Sequence, residues 1–213
     1  MAEQIILPNL TWEMTQTGSA LAQLHQQDPK HLRTLTRSDE ATTLLTLAAD
    51  LTWLCPQQKH RIQTIAVRLA TVLLNAPPLR LPIHGDFNAE QVLLSSEGIS
   101  VIDFDRAGRG DPATDLGSFI AKLEQAELCG RLSTYQCEQL AATLIAGYRT
   151  VAGDSISNDW IQLYVAVGLF RLASEPFRYC EPDWLAKISA ILDRIEQRLA
   201  QVPSDRLCSS YPA

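Results

Sequence analysis

The spacing of apolar residues changes twice along this 213-residue chain, and this change limits the folds open to it. Before residue 78 and after residue 115, apolar residues recur at intervals of three and four, which is typical of helices with one buried face. Between them, residues 81–83, 92–94 and 99–104 form short apolar runs separated by glycine and polar turns. Such runs predict short strands. We therefore predict a mainly α fold of the α+β class, with a small β hairpin formed by the last two runs.

Local signals mark where some of the helices begin. Thr36 followed by Asp39, and Ser133 followed by Gln136, have the spacing of a capping box, in which each side chain bonds the backbone of the other residue. Each pair precedes a run of helical spacing, so each predicts a helix start. Pro182 suits the first turn of the last helix, where no backbone N–H is needed.

Composition restricts the partners and the compartment. The net charge is −6, whereas nucleic-acid binding needs a basic patch, so we expect no nucleic-acid partner. The apolar stretches are broken by polar residues well before the roughly 20 residues of a membrane-spanning helix, so we expect no membrane insertion. Five cysteines without a C-x-x-C pair favour free thiols in a reducing compartment. With no basic leader at the start, these features predict a cytoplasmic protein.

One acidic segment, residues 83–117, combines the features expected of a reactive site. Its five aspartates are Asp86, Asp103, Asp105, Asp111 and Asp115. Two of them, Asp103 and Asp105, are predicted to lie on one strand and to point to the same face. A hairpin brings the residues that flank its two strands together, and clustered carboxylates repel unless a cation neutralises them. Because oxygen ligands suit Mg²⁺, the sequence predicts a magnesium site here.

The order and spacing of these residues resemble those of known phosphotransferases. Three features follow the layout of the catalytic and metal loops of protein kinases. They are His84-Gly85-Asp86, Gln91 five residues after the aspartate, and Ile102-Asp103-Phe104-Asp105 after the hairpin. Gly85 and the string Gly110-Asp111-Pro112-x-x-Asp115-Leu116 are more specifically similar to the aminoglycoside phosphotransferase and choline kinase group. The segment Ala20 to His25 looks like the helix that opens the C-terminal lobe in that group.

This resemblance implies a role for each residue of the two loops. Asp86 would orient the acceptor hydroxyl and take its proton. Asp103 would hold the Mg²⁺ that bridges the phosphates of ATP. Gln91 stands where the family has asparagine, and its amide oxygen would be a second metal ligand on a side chain one methylene longer.

The remaining residues of the segment are expected to support the loops. His84 would organise the catalytic loop, because the neighbouring aspartate acts as the base in kinases. Asp105 would assist the metal or hold its loop. Asp111 and Asp115 are interpreted as structural caps, with Asp111 before Pro112 as an N-cap candidate.

The resemblance also implies a domain division. Residues 1–14 would form a hinge-like segment, residues 15–202 the C-terminal lobe of a protein-kinase-like fold, and residues 203–213 a flexible tail. The N-terminal β lobe of such kinases, with its glycine-rich loop and nucleotide-binding lysine, is expected to be absent, because the first fifteen residues contain neither a lysine nor Gly-x-Gly.

An absent small lobe has consequences for activity. We expect the polypeptide alone to bind Mg²⁺-ATP weakly and to turn over poorly. A separate polypeptide would supply the small lobe, or the chain would be a truncated product, or a kinase retained for binding. Apolar residues facing the missing lobe, among them Ile5 to Leu7, Leu10 and Trp12, would favour self-association or the docking of another chain.

Three functions remain open at this point. The first is an ATP-dependent small-molecule kinase that phosphorylates a hydroxyl, with a cationic acceptor favoured by the acidic lobe. The second is a non-catalytic binding or regulatory module with the same fold. The third, a metallophosphoesterase, needs several histidines around two metals, and only His84 is near the aspartates. The acceptor and the choice between ATP and GTP are left open.

Overall fold

The structure is a computed structural model that describes residues 10–28, 31–77, 79–95 and 98–202. Most of these residues are helical, as the apolar spacing predicted. The helices are α1 (Leu10–His25), α2 (Arg37–Leu54), α3 (Lys59–Asn75), α4 (Ala113–Leu128), α5 (Thr134–Ala152), α6 (Asn158–Leu172), α7 (Glu175–Arg178) and α8 (Trp184–Gln201).

Four short strands lie between α3 and α4 and form two antiparallel pairs. The strands are β1 (Leu81–Ile83), β2 (Val92–Ser95), β3 (Gly98–Val101) and β4 (Gly108–Gly110). β2 pairs with β3 so that Val92 lies opposite Val101, which confirms the predicted hairpin. β1 pairs with β4 so that Ile83 lies opposite Gly108. The sequence did not predict β4, because Gly108-Arg109-Gly110 has no apolar side chain to indicate a strand.

Both predicted capping boxes are confirmed. The Thr36 side chain accepts from the Asp39 N–H, and the Asp39 carboxylate accepts from the Thr36 N–H at 3.0 Å. Ser133 and Gln136 make the same reciprocal pair at the start of α5. Pro182, by contrast, lies outside α8, because Asp183 occupies the N-cap position of that helix.

The first helix begins earlier than predicted. α1 starts at Leu10, so residues 10–14, which were assigned to a hinge, belong to the helix. Trp12 is 54% exposed there, as expected for the apolar face. The apolar run Ile5 to Leu7 and the tail 203–213 lie outside the described residues.

The core is formed by helix pairs. α4 packs against α6, α1 against α5, α2 against α3, and α6 against α8. The largest fully buried side chains include Tyr164 and Phe170 of α6 and Phe87 of the loop after β1. The loop residue is therefore anchored in the same core as the helices, which fixes the acidic segment relative to α4 and α6. Within the described ranges, no helix is both long and apolar enough to cross a membrane.

Two glycines allow α1 and α5 to touch along their backbones. A methyl group at Gly147 would lie 2.2 Å from the carbonyl oxygen of Thr15, and one at Gly18 would lie 2.1 Å from that of Leu144. We expect Gly147→Ala to lower the free energy of unfolding by about 1–3 kcal/mol, because the helices must move apart. This loss should exceed the gain in helix propensity. Urea denaturation would measure it.

The matched control is Ala146→Leu, at an exposed position next to Gly147 on the same helix. This change should alter the stability by no more than about 0.5 kcal/mol. Equal stabilities of Gly147→Ala and the parent protein would contradict the close approach of α1 and α5.

Candidate active site

The carboxylate of Asp115 is the organising group of the loop that follows β1. Its Oδ2 accepts from the backbone N–H of His84 at 2.7 Å, and its Oδ1 accepts from the N–H of Gly85 at 2.8 Å. The side chain of Asp115 is fully buried in the first turn of α4. A buried carboxylate is retained only when donors surround it. Asp115 therefore has a structural role, as an anchor for the backbone of the loop after β1 and not as a helix cap.

A histidine from α1 completes this buried group. The Nε2 of His25 lies 3.0 Å from Asp115 Oδ2, and its Nδ1 lies 2.9 Å from the hydroxyl of Tyr148. A carboxylate can only accept, so Nε2 donates to Asp115, while Nδ1 pairs with the tyrosine hydroxyl. Burial raises the pKa of Tyr148 well above its ordinary value, so its hydroxyl stays a donor. The sequence indicated no such role for His25, because its two partners lie 90 and 123 residues away along the chain.

His84 joins the catalytic loop to the segment after β3. Its ring is buried, and Nε2 lies 2.8 Å from the carbonyl oxygen of Ile102, the residue before Asp103. Because that carbonyl can only accept, Nε2 donates and Nδ1 is left to accept the weaker 3.4 Å contact from the Asp86 N–H. The ring of Phe104 lies 5.0 Å from the His84 ring. The histidine therefore ties the two loops together.

Gly85 brings the same two loops into backbone contact. Its φ is +82°, and a methyl group there would lie 2.3 Å from the carbonyl oxygen of Arg106. Both the left-handed conformation and the close approach exclude other residues. The Nε of Arg106 lies 3.5 Å from Asp86 Oδ2, with both side chains largely exposed. Asp86 is thus presented to solvent beside the segment that carries Asp103.

Asp103 and Asp105 do not lie on a strand, contrary to the prediction. β3 ends at Val101, and Asp103 has a left-handed backbone with φ of 64° at the start of a 3₁₀ turn, Phe104–Arg106. Asp105 lies inside that turn, so the two aspartates do not share a strand face. Both are exposed. The strand ends early because the chain must turn to reach the His84 ring and the Gly85 backbone.

Gln91 lies next to Asp103 across the hairpin. Its carbonyl oxygen accepts from the N–H of Ile102 at 3.0 Å, which extends the β2–β3 pairing by one residue. It ends a 3₁₀ turn, Ala89–Gln91, that Asn88 caps by accepting from the Glu90 N–H at 2.9 Å. Asn88 also donates to the Asp86 carbonyl oxygen at 3.1 Å. The sequence did not single out Asn88, although its position before a short turn is typical of an N-cap.

Asp111 connects the end of β4 to three other elements. Its Oδ1 accepts from the Ala113 N–H at 2.8 Å, while Oδ2 accepts from Arg37 at 2.6 Å and from the Trp160 indole at 2.7 Å. Pro112 occupies the N-cap position, so the helix begins one residue later than predicted. Asp111 is buried and supports α4 away from the exposed aspartates.

The donor set of the two loops fits a magnesium ion rather than a transition metal. Within the described ranges, no three His, Cys, Asp or Glu residues are grouped to hold a metal by themselves. Mg²⁺ does not need such a group, because it binds through one or two carboxylates plus waters and substrate phosphates. Asp86, Asp103 and Gln91 offer oxygen atoms of this kind on two loops in direct contact.

A cavity of about 730 Å³ opens beside the catalytic loop. Asn88 and Glu90 of that loop form one wall, and α1, β2, α4 and the segment around α7 form the others. The volume is in the range of sites for small organic molecules. Asn88 of its lining is bonded to the backbone carbonyl of Asp86, whereas Gly85 and Arg106, which lie beside the Asp86 carboxylate, line a second cavity of about 390 Å³.

The comparison with known families agrees with this geometry. A model of a phosphotransferase enzyme family matches residues 9–154, which include both loops and the buried carboxylate. The chain belongs to this phosphotransferase family. The match covers more than half of the chain, and it confirms the resemblance that the His84 and Asp103 motifs indicated. A search of curated proteins found no match to this chain.

Solved structures of other phosphotransferases share the fold. A glucosamine kinase in complex with glucosamine, ADP and inorganic phosphate superposes with a TM-score of 0.62 and 19% identity over 90% of this chain. A choline/ethanolamine kinase family protein from Mesorhizobium loti gives 0.61 and 16% over 92%. An aminoglycoside phosphotransferase from Streptomyces rimosus gives 0.54 and 18% over 72%. At these identities the likeness shows the fold alone.

The chain spans only part of the length of each of these proteins. It covers 56% of the glucosamine kinase, 65% of the choline/ethanolamine kinase family protein and 59% of the aminoglycoside phosphotransferase. The described helices and hairpins therefore correspond to the larger, mainly helical lobe of a protein-kinase-like fold.

Proposed function

We propose that this protein is the catalytic lobe of a small-molecule kinase, which transfers a phosphoryl group from ATP to a hydroxyl group. The observation that carries the proposal is that the Asp86 loop contacts the Asp103 segment at two points. The His84 ring bonds the carbonyl oxygen of Ile102, and the backbone of Gly85 packs against that of Arg106. This attachment holds two exposed carboxylates on adjoining loops. Phosphoryl transfer depends mainly on such positioning and on charge neutralisation.

In this proposal Asp86 acts on the acceptor. It accepts a hydrogen bond from the acceptor hydroxyl, orients the oxygen toward the phosphate, and receives the proton as transfer proceeds. The backbone on either side is fixed by Asp115 and Asn88, so the side chain keeps its direction. Arg106, 3.5 Å from Asp86, is placed to contact the same hydroxyl-bearing molecule or the transferred group.

Asp103 and Gln91 are the proposed magnesium ligands. When bound, Mg²⁺ neutralises charge on the nucleotide phosphates. Asp103 would supply a carboxylate and Gln91 an amide oxygen, and Asp105, in the turn that follows Asp103, would assist the metal or hold its loop.

The cavity beside Asn88 and Glu90 is the proposed acceptor site. The names of the similar structures refer to glucosamine, to choline or ethanolamine, and to aminoglycosides. Each of these compounds contains both an amine and a hydroxyl group. We propose a hydroxylated amine as the acceptor, with its hydroxyl as the group that Asp86 would receive. The acidic charge of the chain favours such a ligand.

The outer face of the β2–β3 hairpin is the proposed contact with a small lobe and with the nucleotide base. Leu93 and Ile102 lie on the face opposite Val92 and Val101, and they are 52% and 38% exposed. Exposed apolar side chains on one face mark a binding surface. We propose that a small lobe from a separate polypeptide, or a second copy of this chain, covers them.

Nucleotide binding tests this proposal. With 10 mM Mg²⁺-ATP, we expect a small but measurable rise in the melting temperature of the chain alone, because half of the usual phosphate contacts belong to a small lobe. Adding a polypeptide with the small lobe of a related kinase should increase the rise and start phosphoryl transfer. No rise under either condition, in differential scanning fluorimetry, would favour a non-catalytic binding module.

A further inference from the structure

The second cavity, of about 390 Å³, lies against two neighbours of the Asp86 carboxylate. Gly85 precedes Asp86 in the chain, and the Nε of Arg106 lies 3.5 Å from Asp86 Oδ2. Both residues belong to the lining, and β1, β4, α2, α4 and α6 supply the other walls. A molecule bound in this cavity therefore lies beside the proposed base.

Three arginines from separate parts of the chain line this cavity. Arg33 precedes α2, Arg106 ends the 3₁₀ turn after β3, and Arg171 lies in the last turn of α6. The backbone at two of them is held in place, because the Arg33 carbonyl oxygen accepts from the Arg109 N–H at 2.7 Å and Arg106 packs against Gly85. Guanidinium groups on fixed elements are the donors that proteins use for carboxylates and phosphates.

Three carboxylates also line the cavity, and each already serves the protein. Asp111 accepts the three hydrogen bonds described above, and its side chain is 1% exposed. Glu40 Oε2 accepts from Arg37 at 3.3 Å and from the Tyr164 hydroxyl at 3.1 Å. Asp39 closes the capping box at the start of α2. An ammonium group would therefore compete for acceptors that the fold itself uses.

Arg33 keeps its donors for a ligand. Among residues 10–28, 31–77, 79–95 and 98–202, its guanidinium forms no salt bridge. Its nearest acidic neighbour is Asp39, whose pKa is lowered by hydrogen bonds from Thr36 and, to a smaller extent, by the charge of Arg33. Arg33 therefore contributes charge to the cavity without a hydrogen bond that a ligand would have to break.

The other two arginines are only loosely engaged. Arg171 reaches Glu40 at 3.5 Å, and Arg106 reaches Asp86 at the same distance. Both contacts are longer than the roughly 2.7–2.9 Å of a strong charge-assisted hydrogen bond. Since a guanidinium carries five N–H donors, most of them remain available on each side chain.

From this arrangement we propose that the cavity is an oxyanion site, in which Arg33 and Arg171 bind a carboxylate or phosphate group of the acceptor. The inference rests on the proposed function, because the hydroxyl of the same molecule is the group that Asp86 would receive. The two cavities border one loop, the smaller at Gly85 and the larger at Asn88, so both would serve one acceptor. The acceptor class is thereby narrowed to hydroxylated amines that also carry an acid group.

Ligand-observed NMR titration of the full chain with three matched compounds tests this inference. D-Glucosaminitol has the amine and the hydroxyl groups but no acid. D-Glucosaminate has a carboxylate at one end of the same carbon chain, and D-glucosaminitol 6-phosphate has a phosphate at the other end. We expect at least one of the two acids to bind about fivefold or more tightly than D-glucosaminitol, as for a charge-assisted hydrogen bond. The acid that binds more tightly identifies the oxyanion.

Two substitutions locate the binding. Arg33→Gln removes a donor group, and Thr43→Asp adds a carboxylate to the lining, both at exposed positions. Each should abolish the preference for the acid and leave the affinity for D-glucosaminitol unchanged. Arg178→Gln, at an exposed arginine outside this lining, should keep the preference.

Three results would overturn the inference. They are equal or tighter binding of D-glucosaminitol, a preference for the acid that persists in both Arg33→Gln and Thr43→Asp, and no binding of any of the three compounds.

These titrations need neither nucleotide nor a small lobe, so the two proposals fail separately. Acid-dependent binding without any phosphoryl transfer, when a small lobe is supplied, would defeat the kinase proposal and retain the oxyanion site. Equal transfer to D-glucosaminate and D-glucosaminitol, unaffected by Arg33→Gln, would defeat the oxyanion site and retain the kinase.

Discussion

Asp86→Asn is expected to lower phosphoryl transfer by about 100- to 10,000-fold, the range for loss of a general base. Asparagine keeps the shape of the side chain and still bonds the acceptor, but it cannot take the proton. Because the Asp86 side chain is 46% exposed and contacts Arg106 only at 3.5 Å, the free energy of unfolding should change by no more than about 0.5 kcal/mol. The assay follows labelled γ-phosphate from ATP to the bound acceptor with a small lobe supplied.

Asp105→Asn is the matched control, since it removes an exposed carboxylate from the neighbouring turn. It should reduce the transfer rate far less than Asp86→Asn. Full activity of the Asp86→Asn variant would show that another group receives the proton. Unchanged ligand binding together with lost transfer would separate catalysis from a purely structural role.

Asp115→Ala is expected to lower the free energy of unfolding by about 3–5 kcal/mol. The change leaves the N–H groups of His84 and Gly85 without their acceptor and removes the partner of His25. Each unsatisfied buried group costs about 1–3 kcal/mol. Since these groups hold the catalytic loop, the variant should also lose transfer even where it remains folded. Urea denaturation would measure the stability.

Asp193→Ala provides the comparison for this loss. Asp193 also accepts a hydrogen bond, from Arg61 at 2.5 Å, but its side chain is 59% exposed. Its removal should cost less than about 1 kcal/mol, as for other exposed ion pairs. If the two variants were equally stable, the buried carboxylate would not be the organising group described above.

The helices and the hairpin could be predicted because their signals are local. Apolar residues at intervals of three and four predict a helix from the helical segment alone. The capping boxes at Thr36 and Ser133 are confirmed at the helices they predicted. The end of β3 could not be predicted in this way. Asp103 continues the alternation of the strand, but contacts with His84, eighteen residues from Ile102, turn the chain there.

The supports of the site were missed for the same reason. His25 and Asp115 are ninety residues apart, and Arg37 and Trp160 converge on Asp111 from opposite ends of the chain. The sequence on either side of each of these residues does not indicate its distant hydrogen-bond partner. The two loops themselves were found because the spacing of their residues matches a known pattern, and the roles of Asp86, Asp103 and Gln91 stay predictions.

The most direct test of a shared divalent site is a titration with Mn²⁺ and an adenosine nucleotide, in which electron paramagnetic resonance reports the free ion. We expect the wild-type chain to bind the ion together with nucleotide, Asp103→Asn to abolish this binding, and Asp193→Asn to retain it. Identical titrations of the wild-type and Asp103→Asn chains would contradict the account.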